Sequence, residues 1–346
     1  MATHERLHPK EPERLSLARI PTPVTELKNT ARQIGISRLL VKRDDQTGFE
    51  LSGNKIRKLE YILADAIASG ANTLVTHGGF QSNHCRATAA AGASLGLRVR
   101  LLLRSADPHP ADDGNLFLDR LFGADVSIHH PDEYNGRRSE MIEAAMEAER
   151  RAGRRPYFFP VGASIPLGCW GYIRCVAELV EQIGRDTPLA IFCAVSSVGT
   201  YTGLSIGRAL LGCRNWRIRG IPVSDNVEIL SEDIRKLERQ TNERFDLGLR
   251  EADTPIDLID GFIGEGYAIP YPEEVETIRS VARSEGMLLD PVYTGKAMTG
   301  MLATIRNGGL RPDETPVFIH TGGAFGLMAR RDLFSQPSRR DRDPSQ

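Results

Sequence analysis

Residues 73–103, TLVTHGGFQSNHCRATAAAGASLGLRVRLLL, decide the fold. A short β-prone run from Thr73 to His77 enters a glycine-bearing turn, an alanine-rich helical segment follows over 82–95, and a second apolar run begins at Arg98. The same alternation continues in both directions. Strands are expected at 39–44, 125–130, 157–161, 189–195, 217–223 and 316–321, and further helices at 138–152, 168–183, 199–211, 226–243, 272–285 and 294–306. In NKIRKLEYILADAIASG, starting at Asn54, the residues Ile56, Leu59, Leu63, Ala66 and Ile67 share one stripe and Gly70 supplies a stop. Strands alternating with helices of this length imply an α/β fold of parallel sheets with helices on both faces. Ligands of such folds bind beyond the carboxyl ends of the strands, so function is sought in the strand-to-helix turns.

Composition narrows the partners. The chain has 346 residues, 40% hydrophobic and 26% charged, enough for one large or two medium domains and unlike a disordered or collagenous chain. With 44 basic and 45 acidic side chains it carries no whole-chain footprint for nucleic acid or an anionic membrane, which favours small molecules. The N-terminal stretch lacks the apolar centre of a secretory signal, and no apolar run approaches the roughly 18 residues of a membrane helix, so a soluble, cytoplasmic protein is expected. The five cysteines contain no Cys-x-x-Cys pair and read as reduced, buried thiols. The histidines are scattered, with His129 and His130 adjacent at a strand end, and no metal site is expected. No internal repeat is visible, and the tail from Ser335 reads as disordered.

Five turns carry chemistry. Ser52-Gly53-Asn54-Lys55 opens a helix, where the dipole opposes a lysine's charge, and Arg57 and Lys58 add like charge; both effects favour a neutral, nucleophilic amine. An exposed lysine at a helix start is the plain alternative. In the second turn Ser82 fits an N-cap whose free N–H groups suit a carboxylate, with Gln81, Asn83 and His84 beside it, although an ordinary capped turn explains Ser82 equally well. Ser196-Ser197-Val198-Gly199-Thr200 offers hydroxyls and amides to a phosphate, or is a simple cap. Two more turns, Asp290 to Lys296 and His320-Thr321-Gly322-Gly323, lie near the C-terminus. Walker, Gly-x-Gly-x-x-Gly and Gly-x-Ser-x-Gly patterns are absent from the sequence, which disfavours those nucleotide sites and the usual serine hydrolase. An amine, a carboxylate site and a phosphate site together match pyridoxal phosphate handling an amino acid.

The motifs LSGNKIRKLEYILADA, GGFQSNHCRATAAA, LDPVYTGKAMTGM and FIHTGG, in this order, resemble the D-cysteine desulfhydrase and 1-aminocyclopropane-1-carboxylate (ACC) deaminase family of fold-type II pyridoxal phosphate enzymes. The resemblance runs from about residue 15 to 332 and implies two open, twisted, mostly parallel sheets flanked by helices, with the cofactor in an interdomain cleft. A smaller domain over 51–162 would be inserted into a larger one built from 1–50 and 163–334. Lys55 resembles the Schiff-base lysine with Asn54 beside it. Ser82, Asn83, His84 and Gln81 resemble the loop that binds the substrate carboxylate, Asn83 also lying near the cofactor. Residues Ser196, Ser197, Val198, Gly199 and Thr200 match the phosphate loop, and Tyr267 and Tyr293 the two tyrosines above the cofactor. Where ACC deaminases carry a glutamate after the second tyrosine this chain has Thr294, with Thr321 in the glycine-rich turn, as desulfhydrases do.

The implied activity is β-elimination from a small amino acid, D-cysteine first, giving pyruvate, ammonia and hydrogen sulfide. Lys55 is the first choice to carry the Cα proton, with Tyr267 or Tyr293 assisting the leaving group. ACC deamination, an L-cysteate sulfo-lyase activity, a biosynthetic lyase on a larger amino acid and a cofactor-binding protein without catalysis are the alternatives. A homodimer is the family expectation. Three departures stand out. Ser196 and Val198 replace glycines of the phosphate loop, and because a β-branched residue resists positive φ the loop is expected to take another path or to bind phosphate differently. Ile165 replaces an asparagine, and with Phe80 beside the carboxylate loop it suggests a remodelled, more apolar pocket.

Overall fold

Leu189–Val195 is apolar at every position, and a strand of that kind is satisfied only when both its faces are covered. In the computed structural model, which describes residues 7–334, it lies inside a sheet with helices on either side. The strands, in chain order, are β1 (Val24–Glu26), β2 (Leu40–Lys42), β3 (Thr73–Gly79), β4 (Arg98–Arg104), β5 (Asp125–His129), β6 (Pro156–Phe158), β7 (Leu189–Val195), β8 (Trp216–Pro222) and β9 (Thr315–Ile319). The helices are α1 (Lys28–Ile34), α2 (Lys55–Ala68), α3 (Asn83–Ser94), α4 (Gly114–Leu121), α5 (Pro131–Arg151), α6 (Pro166–Ile183), α7 (Gly199–Leu210), α8 (Val227–Phe245), α9 (Pro272–Glu285), α10 (Thr294–Arg306) and α11 (Ala324–Met328).

One sheet has the order β1-β2-β9-β7-β8, the other β5-β4-β3-β6. Every pairing is parallel except β1 with β2. All strands of the second sheet fall between residues 73 and 158, while the first sheet draws on both flanks of that segment. Buried side chains of α6, α7 and α8 fill one face of the first sheet around Trp216, Tyr172 and Val317, and α9 and α10 cover the other around Phe192, Phe318 and Met298. The five cysteines are buried free thiols.

Differences from the sequence expectation have local causes. β1, α4 and α11 are additions; β1 is only three residues long and left no pattern. Helix α5 begins at Pro131 rather than near residue 138, because Arg137 has non-helical angles (φ −128°, ψ 19°) that interrupt the period. The strand expected at 157–161 stops at Phe158, where Pro160 cannot extend the ladder. The expected disordered tail lies outside the described residues.

The first turn of α2 is fixed by a buried ion cluster. Arg57 donates to Asp44 from Nε at 2.9 Å and Nη2 at 2.8 Å, and to Glu178 on α6 from Nη1 at 2.7 Å. Lys42 Nζ lies 2.6 Å from Glu178, and the Tyr172 hydroxyl donates to Asp44 at 2.7 Å. Burial alone would raise the Asp44 carboxyl, but the Arg57 charge and its hydrogen bonds outweigh burial and bring Asp44 below its ordinary value; Glu178 is lowered in the same way. Both carboxylates therefore contribute stability above the ordinary carboxylate pKa of about 4, lost as pH falls below it. Replacing Arg57 with Met leaves two buried carboxylates against one lysine and is expected to cost about 3–5 kcal/mol in urea unfolding, acid sensitivity included. A loss under about 1 kcal/mol would show that the cluster does not hold this turn.

Candidate active site

The carboxyl ends of β3, β4, β7, β8 and β9 converge on a cavity of about 560 Å³. Asn54, Lys55, Ser82, Asn83, His84, Ser196, Ser197, Val198, Thr200, Tyr267, Tyr293 and Thr321 all line it. The structure thus brings together most of the residues singled out in five separate turns.

Lys55 is the first helical residue of α2 and the one lysine whose side chain lines this cavity. No hydrogen bond or ion pair holds its amine among the described residues. Burial pushes its pKa down to about 8, with the Cys85 thiol pulling weakly the other way. The expected contributions of Arg57 and Lys58 are not among the causes: Arg57 is paired with Asp44 and Glu178, and it is Lys58 that burial and the Lys55 charge lower. The preceding turn reaches the cavity through close backbone contact. Gly53 (φ +108°) sits where an added Cβ would lie 2.8 Å from the Thr321 carbonyl oxygen, and Asn54 N donates to that oxygen at 3.2 Å.

Ser82 caps α3, its Oγ accepting from Cys85 N at 3.2 Å. The helix N-terminus therefore faces the cavity, where its free amides suit an anion. Thr76 Oγ1 donates to the Phe159 carbonyl at 2.7 Å, so His84 Nε2, 2.9 Å from that hydroxyl, carries the proton and Nδ1 is a bare acceptor. That Nδ1 is buried without a partner, and burial holds the ring well below its ordinary pKa, hence neutral. Gln81 does not line the cavity. Its amide is occupied in joining α4, donating to Asp113 O at 2.9 Å and accepting from Asn115 N at 2.9 Å.

The loop before α7 corrects a second expectation. Val198 does adopt the left-handed conformation (φ +54°, ψ −28°) that glycine would take, so the backbone path is kept. Its side chain is buried in the core formed by Tyr201, Val195 and their neighbours, and that burial offsets a strain of order 1–3 kcal/mol. Gly162 (φ +72°) makes room for the same loop, since a Cβ there would lie 1.9 Å from Ser197 Oγ. Asn54 Nδ2 donates to Thr200 Oγ1 at 3.0 Å, tying the lysine turn to the start of α7. Below it, Lys58 Nζ donates to Gly162 O at 3.2 Å and would lie 2.9 Å from a Cβ on Gly199. Burial lowers the Lys58 pKa well below its ordinary value, so an anion at this loop would restore its charge.

Thr294 is the third correction. It lies outside the cavity lining, and its hydroxyl is committed to Asp290, donating to Oδ1 at 2.7 Å and accepting from Asp290 N at 2.7 Å. Thr321 remains as the lining hydroxyl of that pair. The expected apolar remodelling is also absent: Phe80 and Ile165 pack into the core around α2 and α3, and the lining is mostly polar. Above the cavity the Tyr267 and Tyr293 hydroxyls share a short hydrogen bond, and burial raises both pKa values.

Sequence reasoning missed His77, Arg104, Tyr134, Asn135, Arg138, Ser224, Asp225 and Asp233, which all line the cavity, and named Lys58 only as a like charge beside Lys55. Arg104 ends β4, so the strand-end rule would have found it. Tyr134 and Arg138, spaced one helical turn apart, were hidden by the misplaced start of α5.

A partnerless amine of lowered pKa stands between two helix N-termini, one suited to a carboxylate and one to a phosphate. The family model for pyridoxal-phosphate dependent enzymes matches residues 15–322. The chain belongs to the pyridoxal-phosphate dependent enzyme family. It is 40% identical to a putative 1-aminocyclopropane-1-carboxylate deaminase of Thermotoga maritima, the match covering 92% of this chain and 98% of that one. It is 38% identical to a bifunctional D-cysteine desulfhydrase/1-aminocyclopropane-1-carboxylate deaminase of Arabidopsis thaliana, covering 94% and 82%. Among solved structures, an ACC deaminase homologue superposes with a TM-score of 0.85 at 35% identity, over 95% of this chain and 99% of that one.

Two outcomes test the geometry of this pyridoxal phosphate enzyme. Stripped of cofactor, the protein should capture pyridoxal phosphate at a rate that rises as Lys55 deprotonates and levels off above pH about 8, where an ordinary lysine would still be climbing. At position 198 Val198→Gly should unfold at higher urea than Val198→Ala, by about 1 kcal/mol, reversing the usual order because alanine keeps the left-handed strain without the buried side chain. Alanine proving the more stable would remove the strain argument.

Proposed function

We propose that this enzyme is a lyase that eliminates a substituent from Cβ of a small amino acid, with D-cysteine the first candidate substrate. The observation that carries the reading is the Lys55 amine, free of partners and lowered to about 8, facing the cavity between the Ser82 and Thr200 helix starts. Lys55 would hold the cofactor's aldehyde, while Ser196, Ser197, Val198, Gly199 and Thr200, with Lys58 beneath, would hold its phosphate. Bound there, pyridoxal phosphate would supply an electron sink for the charge that develops when Cα loses its proton. Ser82 and the α3 amides would seat the substrate carboxylate, with Asn83 and the bare Nδ1 of His84 beside it. Lys55, once released, is placed to take the Cα proton, and the Tyr267–Tyr293 pair to protonate the departing group.

The choice of β-elimination rests on Thr321. The acidic side chains lining the cavity, among the described residues, are Asp225 and Asp233, both exposed, so a hydroxyl rather than a carboxylate lies at the glycine-rich turn. A hydroxyl does not hold a pyridine proton, the sink is weaker, and a good leaving group is favoured over an unactivated ring. ACC deamination is the second reading, supported by the name of the 40% identical relative. We further read residues 51–162 as a smaller domain inserted into a larger one, and the cytoplasmic enzyme as a homodimer. Exposed Phe117 and Leu121 on α4 and Met328 on the adjoining α11 support the second copy.

The test is product identification from D- and L-cysteine and from ACC. Pyruvate with sulfide is expected from D-cysteine, and Lys55→Ala should lose at least about a hundredfold in rate and the borohydride-trapped lysine adduct. Release of 2-oxobutanoate from ACC alone would replace this reading by the second, and an adduct surviving in Lys55→Ala would overturn the cofactor attachment.

A further inference from the structure

The cofactor and a substrate carboxylate account for two positive regions of the cavity, the starts of α7 and α3. A third lies on the wall formed by β4 and α5. Arg104 and Arg138 both line the cavity, and among the described residues neither has a carboxylate within 4.0 Å or a hydrogen bond. Arg104 is half-buried and Arg138 exposed at the cavity wall, whereas the buried arginines near the site are paired, Arg57 with Asp44 and Glu178 and Arg86 with the carbonyls of Glu50 and Ser52. Arg104 instead lies over the ring of Tyr134, its Cζ 5.6 Å from the centroid. Asp225 and Asp233 line the cavity too, but neither forms an ion pair with these arginines.

Tyr134 adds an uncommitted donor. Val161 N donates to His77 Nε2 at 3.4 Å, so the proton of that ring sits on Nδ1 and is given to the Tyr134 hydroxyl. The hydroxyl's own proton is then directed elsewhere, with no acceptor among the described residues, although Tyr134 is only 4% exposed. Both arginine charges act on the same place: they reinforce the burial that pushes His77 down to about 4. Two unpaired guanidinium groups and one buried free O–H, on one wall of a substrate cavity, match an oxyanion.

We propose that Arg104, Arg138 and the Tyr134 hydroxyl form a seat for a second anionic group, carried on the substrate's side chain at Cβ as a sulfonate or phosphate. This rests on the proposed elimination and extends its substrate class beyond the thiol of cysteine. In the reaction the Cα–H and Cβ–X bonds break, the electron pair of Cβ–X leaves with X as sulfite or phosphate, and water converts the remaining enamine to pyruvate and ammonia. The seat would hold the charge that the leaving group already carries and the charge that it gains. A thiol side chain needs no such seat.

The experiment compares holoenzyme turnover of the D and L forms of cysteate, O-phosphoserine and cysteine in the wild type, Arg104→Met, Arg138→Gln and Tyr134→Phe. The two acidic substrates separate sulfonate from phosphate. Turnover of at least one of them beside cysteine is expected, with a loss in the arginine variants about 10- to 100-fold larger for the acidic substrate than for cysteine. Calorimetric binding of aspartate against alanine supplies a readout independent of turnover: the wild type should prefer aspartate, and Arg138→Gln should lose the preference. Equal losses for acidic and neutral substrates, or equal binding of aspartate and alanine, would overturn the seat while leaving the lyase reading intact. Failure of the lyase reading shows separately, as absence of the trapped Lys55 adduct.

Discussion

The placement of Lys55 depends on Arg57. Two residues apart at the start of α2, one reaches the cavity and the other is locked beneath it by Asp44 and Glu178. The lock joins three distant pieces of chain: the turn after β2, the first turn of α2 and the middle of α6. It also pairs the guanidinium charge that lies two residues from the amine. Were Arg57 unpaired, its field would depress the Lys55 pKa further; paired, it leaves burial as the leading cause of the value near 8. A costly buried ion network thus holds the backbone and silences its own charge.

Around this point the fold assembles positive ends rather than positive side chains. The N-termini of α3 and α7 follow strands of different sheets, β3 and β7, and Asn54 ties the lysine turn to α7 by donating to Thr200. Amides carry only partial charge, so two anions can be seated close to the lowered amine with less mutual repulsion among the donors than full cations would bring. The strained Val198 belongs to this economy of space. Its backbone takes the path that aims the α7 amides, and its side chain anchors the loop to the core that glycine would leave untouched.

The sequence carried the strand–helix alternation, and with it the sheets, because β7, β8 and β9 are short apolar runs between periodic helices. It carried Lys55 for a different reason, scarcity: of seven lysines, one combined a helix start with a glycine-bearing turn. What it could not carry was the direction of a side chain. Thr294 and Thr321 are equally plausible by motif, yet Asp290 four residues earlier consumes the hydroxyl of the first. Gln81 sits beside Ser82 and turns away to Asn115. The wall of Arg104, Tyr134 and Arg138 is a product of assembly, since a strand end and a kinked helix meet there without any shared local pattern.

The tyrosine pair sets a limit on the proposed chemistry. Burial raises both Tyr267 and Tyr293, so at neutral pH the pair holds two protons, one of them shared between the two oxygens. Only one proton is then free to reach a departing group in each turnover, and its donor is whichever hydroxyl accepts from the other. Such a donor gains acidity from its partner's hydrogen bond, which stabilises the phenolate left behind. For a thiolate leaving group that proton completes the departure. For sulfite or phosphate the leaving oxyanion needs neutralising charge more than a proton, and the nearest uncommitted charges are Arg104 and Arg138. The two halves of the upper cavity, a proton-donating pair and a cationic wall, are therefore suited to different leaving groups, and which of them carries the larger share of the rate identifies the substituent this site was built to expel.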